Sequence, residues 1–310
     1  MKILVTGGAG FIASHITDAF INEGHQVFVL DNLTSGFEKN VNSKATLIKS
    51  DICNKELSDL FETEKFDVLN HHAAQMDVRR SVADPAFDAN TNIIGTINLL
   101  QNCVKTGVKK FMFASTGGAI YGEQNYFPAD ENHPTTPLSP YGISKLAVEK
   151  YLSFYNAQYG LNYSILRYAN IYGPRQNPLG EAGVVAIFIS KLLKDEQPII
   201  NGSGKQTRDY VFVKDVVKAN LFALKDYKCD IYNVGSGIEA DVNKIFNELN
   251  RIVGKGQVEK HGPAAPGEQM RSVITSDKLF NKFQWRPDTD LSTGLQETVQ
   301  FFRAGGQNRN

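Results

Sequence analysis

A glycine-rich stretch near the amino terminus decides the fold: Thr6-Gly7-Gly8-Ala9-Gly10-Phe11-Ile12-Ala13. It follows a short apolar run, Lys2 to Thr6, that is typical of a buried strand, and it opens a segment with helical spacing of apolar residues. Glycines at such a junction permit a tight turn and let backbone N–H groups approach a pyrophosphate. The spacing Gly-x-x-Gly-x-x-Ala is only a relative of the dinucleotide fingerprint, so the loop alone also fits a plain structural turn.

An acidic residue strengthens the dinucleotide interpretation. Asp31 closes the next apolar run, Val27 to Asp31, about twenty residues after the loop. A carboxylate there can accept hydrogen bonds from an adenosine ribose, and it repels a 2'-phosphate. The sequence therefore predicts a site for NAD in preference to NADP.

Strand-like and helix-like segments alternate through the first half of the chain, with further apolar runs at Thr46 to Lys49, Val68 to His71 and Lys110 to Ala114. This alternation predicts an α/β protein with a Rossmann-type, doubly wound parallel sheet. After about Asn170 glycines and prolines cluster. We therefore predict an NAD-binding domain over residues 1–169, to which segments near 209–235 return, and a smaller C-terminal substrate-binding region over 170–310.

Composition excludes several classes of function. The chain has 33 Lys plus Arg and 33 Asp plus Glu, so the formal net charge is zero, whereas a protein that coats nucleic acid needs a basic excess. No apolar stretch reaches the length of a membrane span. Cys53, Cys103 and Cys229 are far apart and form no Cys-x-x-Cys pair, which argues against disulfides and structural zinc. We predict a cytoplasmic protein without a metal, a nucleic-acid partner or a membrane partner.

Two Tyr-x-x-x-Lys pairs occur, and physical context separates them. Tyr141 and Lys145 follow Pro140 in a segment of helical pattern, where positions four apart share a face. A nearby ammonium stabilises a phenolate, as a general acid or base near neutral pH requires. Tyr210 and Lys214 begin in a β-branched, aromatic run that predicts a strand, where such positions are about 13 Å apart. Tyr141 and Lys145 are the predicted catalytic pair.

Hydroxyl groups follow another predicted strand. Ser115 and Thr116 end the run that begins at Lys110, so they would lie at the ligand edge of a parallel sheet. Each could instead bond local backbone, an interpretation that weighs more for Ser115 than for Thr116. His71 and His72 would point to opposite faces of a strand, so they are not predicted to share a metal ion.

These motifs, in this order, resemble the extended short-chain dehydrogenase/reductase family, most closely its nucleotide-sugar branch of UDP-glucose 4-epimerases. The first-half motifs are Gly7-x-x-Gly10-x-x-Ala13, Asp31, Asp51-Ile52, Ala73-Ala74-Gln75, Asn92-Ile93-Ile94-Gly95-Thr96, Ser115-Thr116 and Tyr141-x-x-x-Lys145. Those of the second half are Leu166-Arg167-Tyr168-Ala169-Asn170-Ile171-Tyr172-Gly173-Pro174-Arg175, Gln206-Thr207-Arg208-Asp209-Tyr210-Val211, Tyr232-Asn233-Val234-Gly235 and Pro266-Gly267-Glu268-x-x-Arg271-Ser272.

The resemblance implies a role for each matching residue. The NAD contacts would be Gly7, Gly10, Phe11 and Ile12 at the pyrophosphate, Asp31, Asn32, Thr34 and Gly36 at the adenosine ribose, Asp51 and Ile52 at the adenine, and Ala73, Ala74, Gln75, Asn92, Tyr141 and Lys145 around the nicotinamide half. The substrate contacts would be Thr116 and Tyr141 at the sugar and Asn170, Gln206, Arg208 and Arg271 at the nucleotide diphosphate. Tyr141, Lys145 and Thr116 would be the catalytic residues.

The resemblance also implies a reaction. Tyr141 would remove the C4' hydroxyl proton of a UDP-sugar while NAD takes the hydride, and the 4-keto sugar would turn before reduction from the other face. The substrate would be UDP-glucose or UDP-galactose, and small Ser272 suggests room for N-acetylated or uronic sugars. Helices near Asn92 to Val104 and Tyr141 to Tyr159 resemble the dimer interface of this family, which implies a homodimer.

Other functions stay open. Dehydratase and decarboxylase relatives place an acid directly after the threonine, where this chain has Gly117 and Gly118. A sugar or aldehyde reductase that uses NADPH is disfavoured by Asp31. A non-catalytic, NAD-sensing regulator is disfavoured because both Tyr141 and Lys145 are present.

Overall fold

The computed structural model describes residues 1–179, 183–264 and 269–306, so Pro266, Gly267 and Glu268 of the last motif lie outside the described residues. The strands are β1 (Lys2–Thr6), β2 (Gln26–Asp31), β3 (Thr46–Lys49), β4 (Val68–His71), β5 (Lys110–Thr116), β6 (Asn162–Tyr168), β7 (Asn170–Tyr172), β8 (Ile200–Asn201), β9 (Thr207–Phe212), β10 (Asp230–Val234), β11 (Glu239–Asp241), β12 (His261–Gly262) and β13 (Arg271–Ser272). The α-helices are α1 (Phe11–Asn22), α2 (Leu57–Glu64), α3 (Val78–Ala83), α4 (Pro85–Ala89), α5 (Gly95–Thr106), α6 (Pro140–Tyr159), α7 (Val184–Leu193), α8 (Val213–Lys225), α9 (Val242–Val253), α10 (Asp277–Phe283) and α11 (Leu291–Arg303).

Seven parallel strands form the central sheet, in the order β10-β6-β5-β4-β1-β2-β3. Both faces are covered. Ile3 and Val5 join the core under α1 and α8, whereas Leu4 joins the core under α2, α5 and α6. Because successive residues of a strand point to opposite faces, a strand buried on both sides must be apolar throughout. The predicted doubly wound α/β fold is confirmed.

The strand order reverses at β1, which lies between β4 and β2. Strands β2 and β3 lie on one side of β1, and β4, β5, β6 and β10 lie on the other. In such sheets the crevice outside the carboxyl ends of the strands, at the reversal, is the ligand site. The glycine loop follows β1 and therefore lies at this crevice.

A smaller sheet forms from the second half of the chain. In it β9 lies between β11 and β13 and also pairs with β7, and α7, α9 and α11 pack around a separate apolar core. β10, α8 and α10 of this half lie on the central sheet instead, because β10 pairs with β6, α8 packs against α1, and α10 packs against β10. The division of the chain near residue 169 stays a prediction.

Candidate active site

The glycine loop is shaped by close backbone contacts. Gly7 has a φ of +70°, and a Cβ on it would lie 2.7 Å from the Ala73 nitrogen and 2.9 Å from the Ala73 Cα. Gly10 precedes the first turn of α1 and has no side chain that could occupy the N–H groups there. Unfilled N–H groups at the start of a helix attract an anion. This cradle fits the pyrophosphate of NAD.

Asp31 holds the loop in this shape. Its Oδ2 accepts a hydrogen bond from the Ala9 N–H at 3.0 Å, and its Oδ1 accepts from the Leu33 N–H at 2.8 Å. Burial raises the pKa of Asp31, although these two bonds work in the opposite direction. A carboxylate has about four acceptor positions. Asp31 can therefore hold the loop and still accept hydrogen bonds from a ribose.

The residues predicted around the adenosine form one connected group. Asn32 donates to the Asp51 carboxylate at 2.7 Å and accepts from the Thr34 hydroxyl at 2.7 Å. Burial acts to raise the pKa of Asp51, but hydrogen bonds from the Cys53 N–H and from Asn32 outweigh it and lower that pKa. Asp51 therefore stays ionised beside the buried Ile52.

Asn92 shapes the loop predicted to face the nicotinamide. It lies in a π-helical turn, Asn90–Ile94, a local distortion often found at functional sites. Its side-chain amide donates to the Gln75 carbonyl and accepts from the Gln75 N–H, both at 2.8 Å. Ala73 and Ala74 precede Gln75 in this loop, and the Ala73 N–H donates to Thr6. Asn92 thus fixes the loop through its backbone.

The predicted catalytic pair lies at the start of α6. Ser139 caps this helix by accepting from the Gly142 N–H, and Pro140 fills its first position, where proline is favoured. The Lys145 Nζ is 5.8 Å from the centre of the Tyr141 ring and donates to the Ala114 carbonyl at 2.9 Å. Burial lowers the pKa of Lys145 to about 8, against the opposing effects of Asp88 and Glu149.

Thr116 and Asn170 lie beside this pair. A Cβ on Gly118 would be 3.9 Å from the Thr116 Oγ1 and 3.8 Å from the Asn170 Oδ1, so these two side chains flank one small space. The first turn of α6 packs on the same segment, because a Cβ on Gly142 would lie 2.8 Å from the Ala119 carbonyl oxygen. The structure therefore brings four predicted residues together at the carboxyl edge of β5 and β6: Tyr141, Lys145, Thr116 and Asn170.

The second Tyr-x-x-x-Lys pair is not a helical pair. Tyr210 lies in β9, and Lys214 lies in α8, where it pairs with Glu297. The predicted strand is confirmed from Tyr210 to Phe212, whereas Val213 begins α8, and the choice of Tyr141 and Lys145 as the catalytic pair stays a prediction.

The predicted diphosphate ligands divide between the two faces of the small sheet. Strand register places Asn170 opposite Tyr210, and Ser272 opposite Arg208. Alternation along β9 then puts Arg208 on one face with Asn170. Gln206 directly precedes β9, and its side-chain amide donates to the Asn201 carbonyl at 3.2 Å. Arg271 is opposite Thr207 and therefore lies on the other face.

On that other face Arg271 already has partners. Its guanidinium binds both oxygens of Glu239, at 2.7 and 2.8 Å, and stacks 3.8 Å from the centre of the Phe127 ring. Thr207 also donates to Glu239 at 2.8 Å. The structure does not bring Arg271 and Arg208 together as a pair.

The comparison with known proteins decides the family. The NAD dependent epimerase/dehydratase family matches residues 3–235. The chain belongs to this family. Among its relatives is the UDP-glucose 4-epimerase of Mycolicibacterium smegmatis, 40% identical over 313 residues that cover 99% of this chain and 100% of that protein.

Solved structures of epimerases match throughout. A Thermotoga maritima UDP-glucose 4-epimerase with UDP-glucose has a TM-score of 0.97 and 46% identity, covering 98% of this chain and 99% of that one. A Thermus thermophilus UDP-glucose 4-epimerase in complex with NAD has a TM-score of 0.93 and 42% identity, with the same coverage. Membership of the epimerase/dehydratase family confirms the predicted fold and the predicted cofactor, NAD.

Some polar residues of this epimerase/dehydratase site were missed from the sequence. Ser115 donates to Glu149 at 2.6 Å, and Glu149 binds Arg167 through two hydrogen bonds of 3.0 and 2.6 Å. Asp88 and Ser144 are hydrogen-bonded to each other and fully enclosed. Their sequence signal is weak: Glu149 is four residues after Lys145, and Asp88 is four residues before Asn92.

The adjacent histidines behave as predicted. His71 lies between the hydroxyls of Thr6 and Thr96, whereas His72 stacks on the Tyr168 ring at 5.9 Å. The prediction that the two rings do not converge is confirmed. Within residues 1–179, 183–264 and 269–306, no three His, Cys, Asp or Glu side chains are grouped as metal ligands, and no helix is long and apolar enough to cross a membrane.

Proposed function

We propose that this protein catalyses the NAD-dependent 4-epimerisation of a UDP-sugar, with UDP-glucose and UDP-galactose as its substrates. One observation carries the proposal: Tyr141, Lys145 and Thr116 lie together at the carboxyl edge of the sheet that also carries the glycine loop. A sugar placed against Tyr141 would therefore be within reach of a nicotinamide held by that loop.

In this mechanism Tyr141 holds and moves the proton of the C4' hydroxyl. The buried Lys145 ammonium lies near its ring and favours the phenolate electrostatically. Thr116 offers a hydroxyl to the same sugar oxygen. The glycine loop and Asp31 would hold NAD, which would supply the hydride acceptor and donor that oxidation and reduction at C4' require.

The sugar must turn over between the two hydride transfers, so its anchor has to lie elsewhere. Arg208 shares a face of the small sheet with Asn170, Gln206 directly precedes the same strand, and Asn170 adjoins Thr116. A planar guanidinium matches phosphate geometry, so Arg208 is the proposed main ligand of the diphosphate. Arg271 would join it only after leaving Glu239.

A dehydratase, decarboxylase or reductase is less well supported. The two residues after Thr116 are glycines, which carry no proton-transferring group. A side chain at position 117 would also meet Ile274, because a Cβ there lies 2.5 Å from the Ile274 Cδ1. Asp31 disfavours NADP, and the intact catalytic pair disfavours a non-catalytic NAD-sensing regulator.

The sugar pocket also suggests a wider range of substrates. Ser272 is small and lies on the Arg208 face of β13. We therefore include UDP-N-acetylhexosamines and uronic sugars among the candidate substrates.

We infer that the protein is a homodimer. Ile94, Ile143, Tyr151 and Phe154 are all exposed on α6 and the turn before α5, with exposed fractions of 38 to 54%. Clustered apolar side chains on neighbouring helices are typical of an interface. Light scattering after gel filtration should give twice the chain mass of 34.3 kDa, and Phe154→Asp should give the monomer mass. An unaltered monomer in the wild type would contradict this.

We also infer a cytoplasmic location. Cys53, Cys103 and Cys229 are all free, as expected for a reducing compartment. Fractionation of the source cells, followed by immunodetection, would test it.

Proton NMR of the reaction tests the catalytic proposal. The protein is incubated without added reductant with UDP-glucose, UDP-N-acetylglucosamine, UDP-glucuronate and the matching dTDP and GDP sugars. We expect a 4-epimer that disappears in Tyr141→Phe and persists in Tyr210→Phe, the matched control from the second Tyr-x-x-x-Lys pair. A dehydrated or decarboxylated product, or turnover of no nucleotide sugar, would overturn the proposal.

Variants of the two arginines test the anchor. Arg208→Ala should raise KM by roughly 10- to 100-fold, because it loses a charge-assisted bond to phosphate. Arg271→Ala should change KM less, because its guanidinium is bound by Glu239. The reverse order would show that Arg271 is the main ligand.

A further inference from the structure

Buried hydrogen bonds run without interruption from the glycine loop towards α6. The His71 ring contacts the Thr6 hydroxyl at 2.7 Å and the Thr96 hydroxyl at 2.8 Å. The Thr96 hydroxyl in turn donates to the Asn92 carbonyl at 2.6 Å. All four side chains are buried. The side chains of His71 and Thr96 thereby connect the end of β1 to the backbone of the π-helical turn.

Asp88 is the point where this series meets α6. Its Oδ1 accepts from the Gln75 amide and from the Asn92 amide, each at 3.0 Å. Its Oδ2 accepts from the Ser144 hydroxyl at 2.6 Å. The side chain has no exposure to solvent, and the mechanism described above does not use it. A buried carboxylate is costly unless it is well bonded, so its three donors mark a built arrangement.

We propose that Asp88 is a positioning residue for the catalytic pair. Asp88 holds the first turns of α6 against the nicotinamide-side loop, and its buried negative charge stabilises the Lys145 ammonium. Ser144, which Asp88 binds, directly precedes Lys145 and lies one turn after Tyr141. A shift of Ser144 would move both residues against Gln75 and Asn92. The inference rests on the proposed function, because it assigns a task that only a catalytic Tyr141 and Lys145 would need.

The charges around Lys145 single out Asp88. Besides Tyr141, whose ring lies 5.8 Å from the ammonium, four titratable groups act on it: Asp88 from α4, Glu149 from α6, His71 at the end of β4 and His72 directly after that strand. Burial lowers the pKa of both histidines, that of His72 to about 3, so both rings are neutral near pH 7.

The two carboxylates differ in their own partners. Glu149 is bound by the Arg167 guanidinium through two hydrogen bonds, and the positive charge of Arg167 weakens the effect of Glu149 on Lys145. The three donors to Asp88 are all uncharged side chains. Asp88 therefore keeps its charge available to Lys145.

Asp88→Asn tests the charge while keeping the geometry. The asparagine oxygen can accept from Gln75 and Asn92, and its NH₂ group can donate to the Ser144 oxygen. With the charge removed, Lys145 should lose its proton more easily. The descending limb of kcat at high pH should then move to lower pH by roughly one unit.

Asp215→Asn is the matched control, since Asp215 is equally buried but lies on α8. In Asp215→Asn the descending limb of kcat at high pH should stay where it is in the wild type. A limb that stays in place in the Asp88 variant overturns the inference.

Ser144→Ala tests the tie while keeping the charge. We expect kcat to fall roughly 10-fold or more, because small displacements of catalytic groups are costly, with the high-pH limb unchanged. Ser144→Thr retains the hydroxyl and should recover most of the loss. Ser153→Ala is the control on the same helix. Among the described contacts the Ser153 hydroxyl bonds only the Glu149 carbonyl, so this variant should keep the full kcat. An undiminished kcat in Ser144→Ala overturns the inference.

The NAD-loaded protein is used throughout, with the melting temperature and the bound NAD measured for each variant. Tyr141→Phe separates this inference from the proposed function. If Tyr141→Phe abolishes epimerisation while the Asp88 and Ser144 variants match the wild type, only the inference fails. If Tyr141→Phe retains full activity, both the proposed function and this inference fail.

Discussion

The glycine loop offers the sharpest test of how this fold binds its cofactor, through Gly7→Ala. A methyl group on Gly7 would meet backbone atoms, since its Cβ would lie 2.7 Å from the Ala73 nitrogen and 3.0 Å from the His72 carbonyl carbon. His72 and Ala73 directly follow the central strand β4, and their backbone atoms cannot move aside as the end of a side chain can. Gly7 also has a φ of +70°, a left-handed conformation that an L-residue adopts at a cost.

Two effects set the size of the loss. The left-handed conformation costs about 1–2 kcal/mol for alanine. Overpacking against a well-packed structure costs about 1–3 kcal/mol more. Gly24→Ala is the matched control, because Gly24 has a φ of +82° with nothing within 4 Å of its Cβ, so only the first cost applies. The free energy of unfolding should therefore fall by about 2–5 kcal/mol in Gly7→Ala and by about 1–2 kcal/mol in Gly24→Ala.

Urea unfolding followed by circular dichroism measures these differences, and the absorbance of NAD released on denaturation measures cofactor content. Gly7→Ala should lose both stability and bound NAD, because the loop and the start of α1 must shift. Gly24→Ala should keep its NAD. Equal urea midpoints and equal NAD content in the two variants would refute the reasoning.

Three further predictions concern stability. Arg167→Met leaves the buried Glu149 without its cation and should lower the free energy of unfolding, measured in urea, by about 3–5 kcal/mol. Lys150→Met, at an exposed position, should change it little, and equal effects of the two substitutions would be inconsistent with a buried pair. Burial raises the pKa of Asp209 to about 6, so the stability that its protonated form contributes is lost as pH rises from about 4 to 6. Asp209→Asn cannot lose this contribution and should gain stability relative to the wild type across that window, and parallel curves of stability against pH would contradict this. Stripping NAD should lower the melting temperature, since a ligand at 100 times its Kd adds about 2.7 kcal/mol; unchanged melting on adding NAD back would count against the site.

The elements that were predictable from sequence depend on short-range patterns. The run from Lys2 to Thr6 and the glycines after it contain their own strand, turn and helix start, so the cofactor crevice followed from order alone. The distinction between Tyr141 and Tyr210 was also local, because proline and helical spacing surround one, and β-branched residues the other. The helix predicted from Tyr141 to Tyr159 is confirmed as Pro140–Tyr159.

Contacts between distant segments were not predictable in this way. The bond between Asp88 and Ser144 joins residues 56 positions apart, and Glu149 reaches Arg167 on another strand. The expected pairing of Arg208 with Arg271 depended on strand register, and the register places them on opposite faces. A shift of one residue would exchange those faces, and nothing in the spacing of the motifs specifies it.

The sequence by itself determined the class of fold and the cofactor crevice, and it was enough to predict the catalytic pair, because each depends on residue types within one turn of helix or one strand. Only the tertiary structure decided which groups support that pair. Burial makes Lys145 a weak base, the carboxylates of Asp88 and Glu149 oppose that effect, and Glu239 holds Arg271 away from Arg208. The physical reason is that pKa values and ion pairs depend on neighbours in space, which chain folding alone brings together.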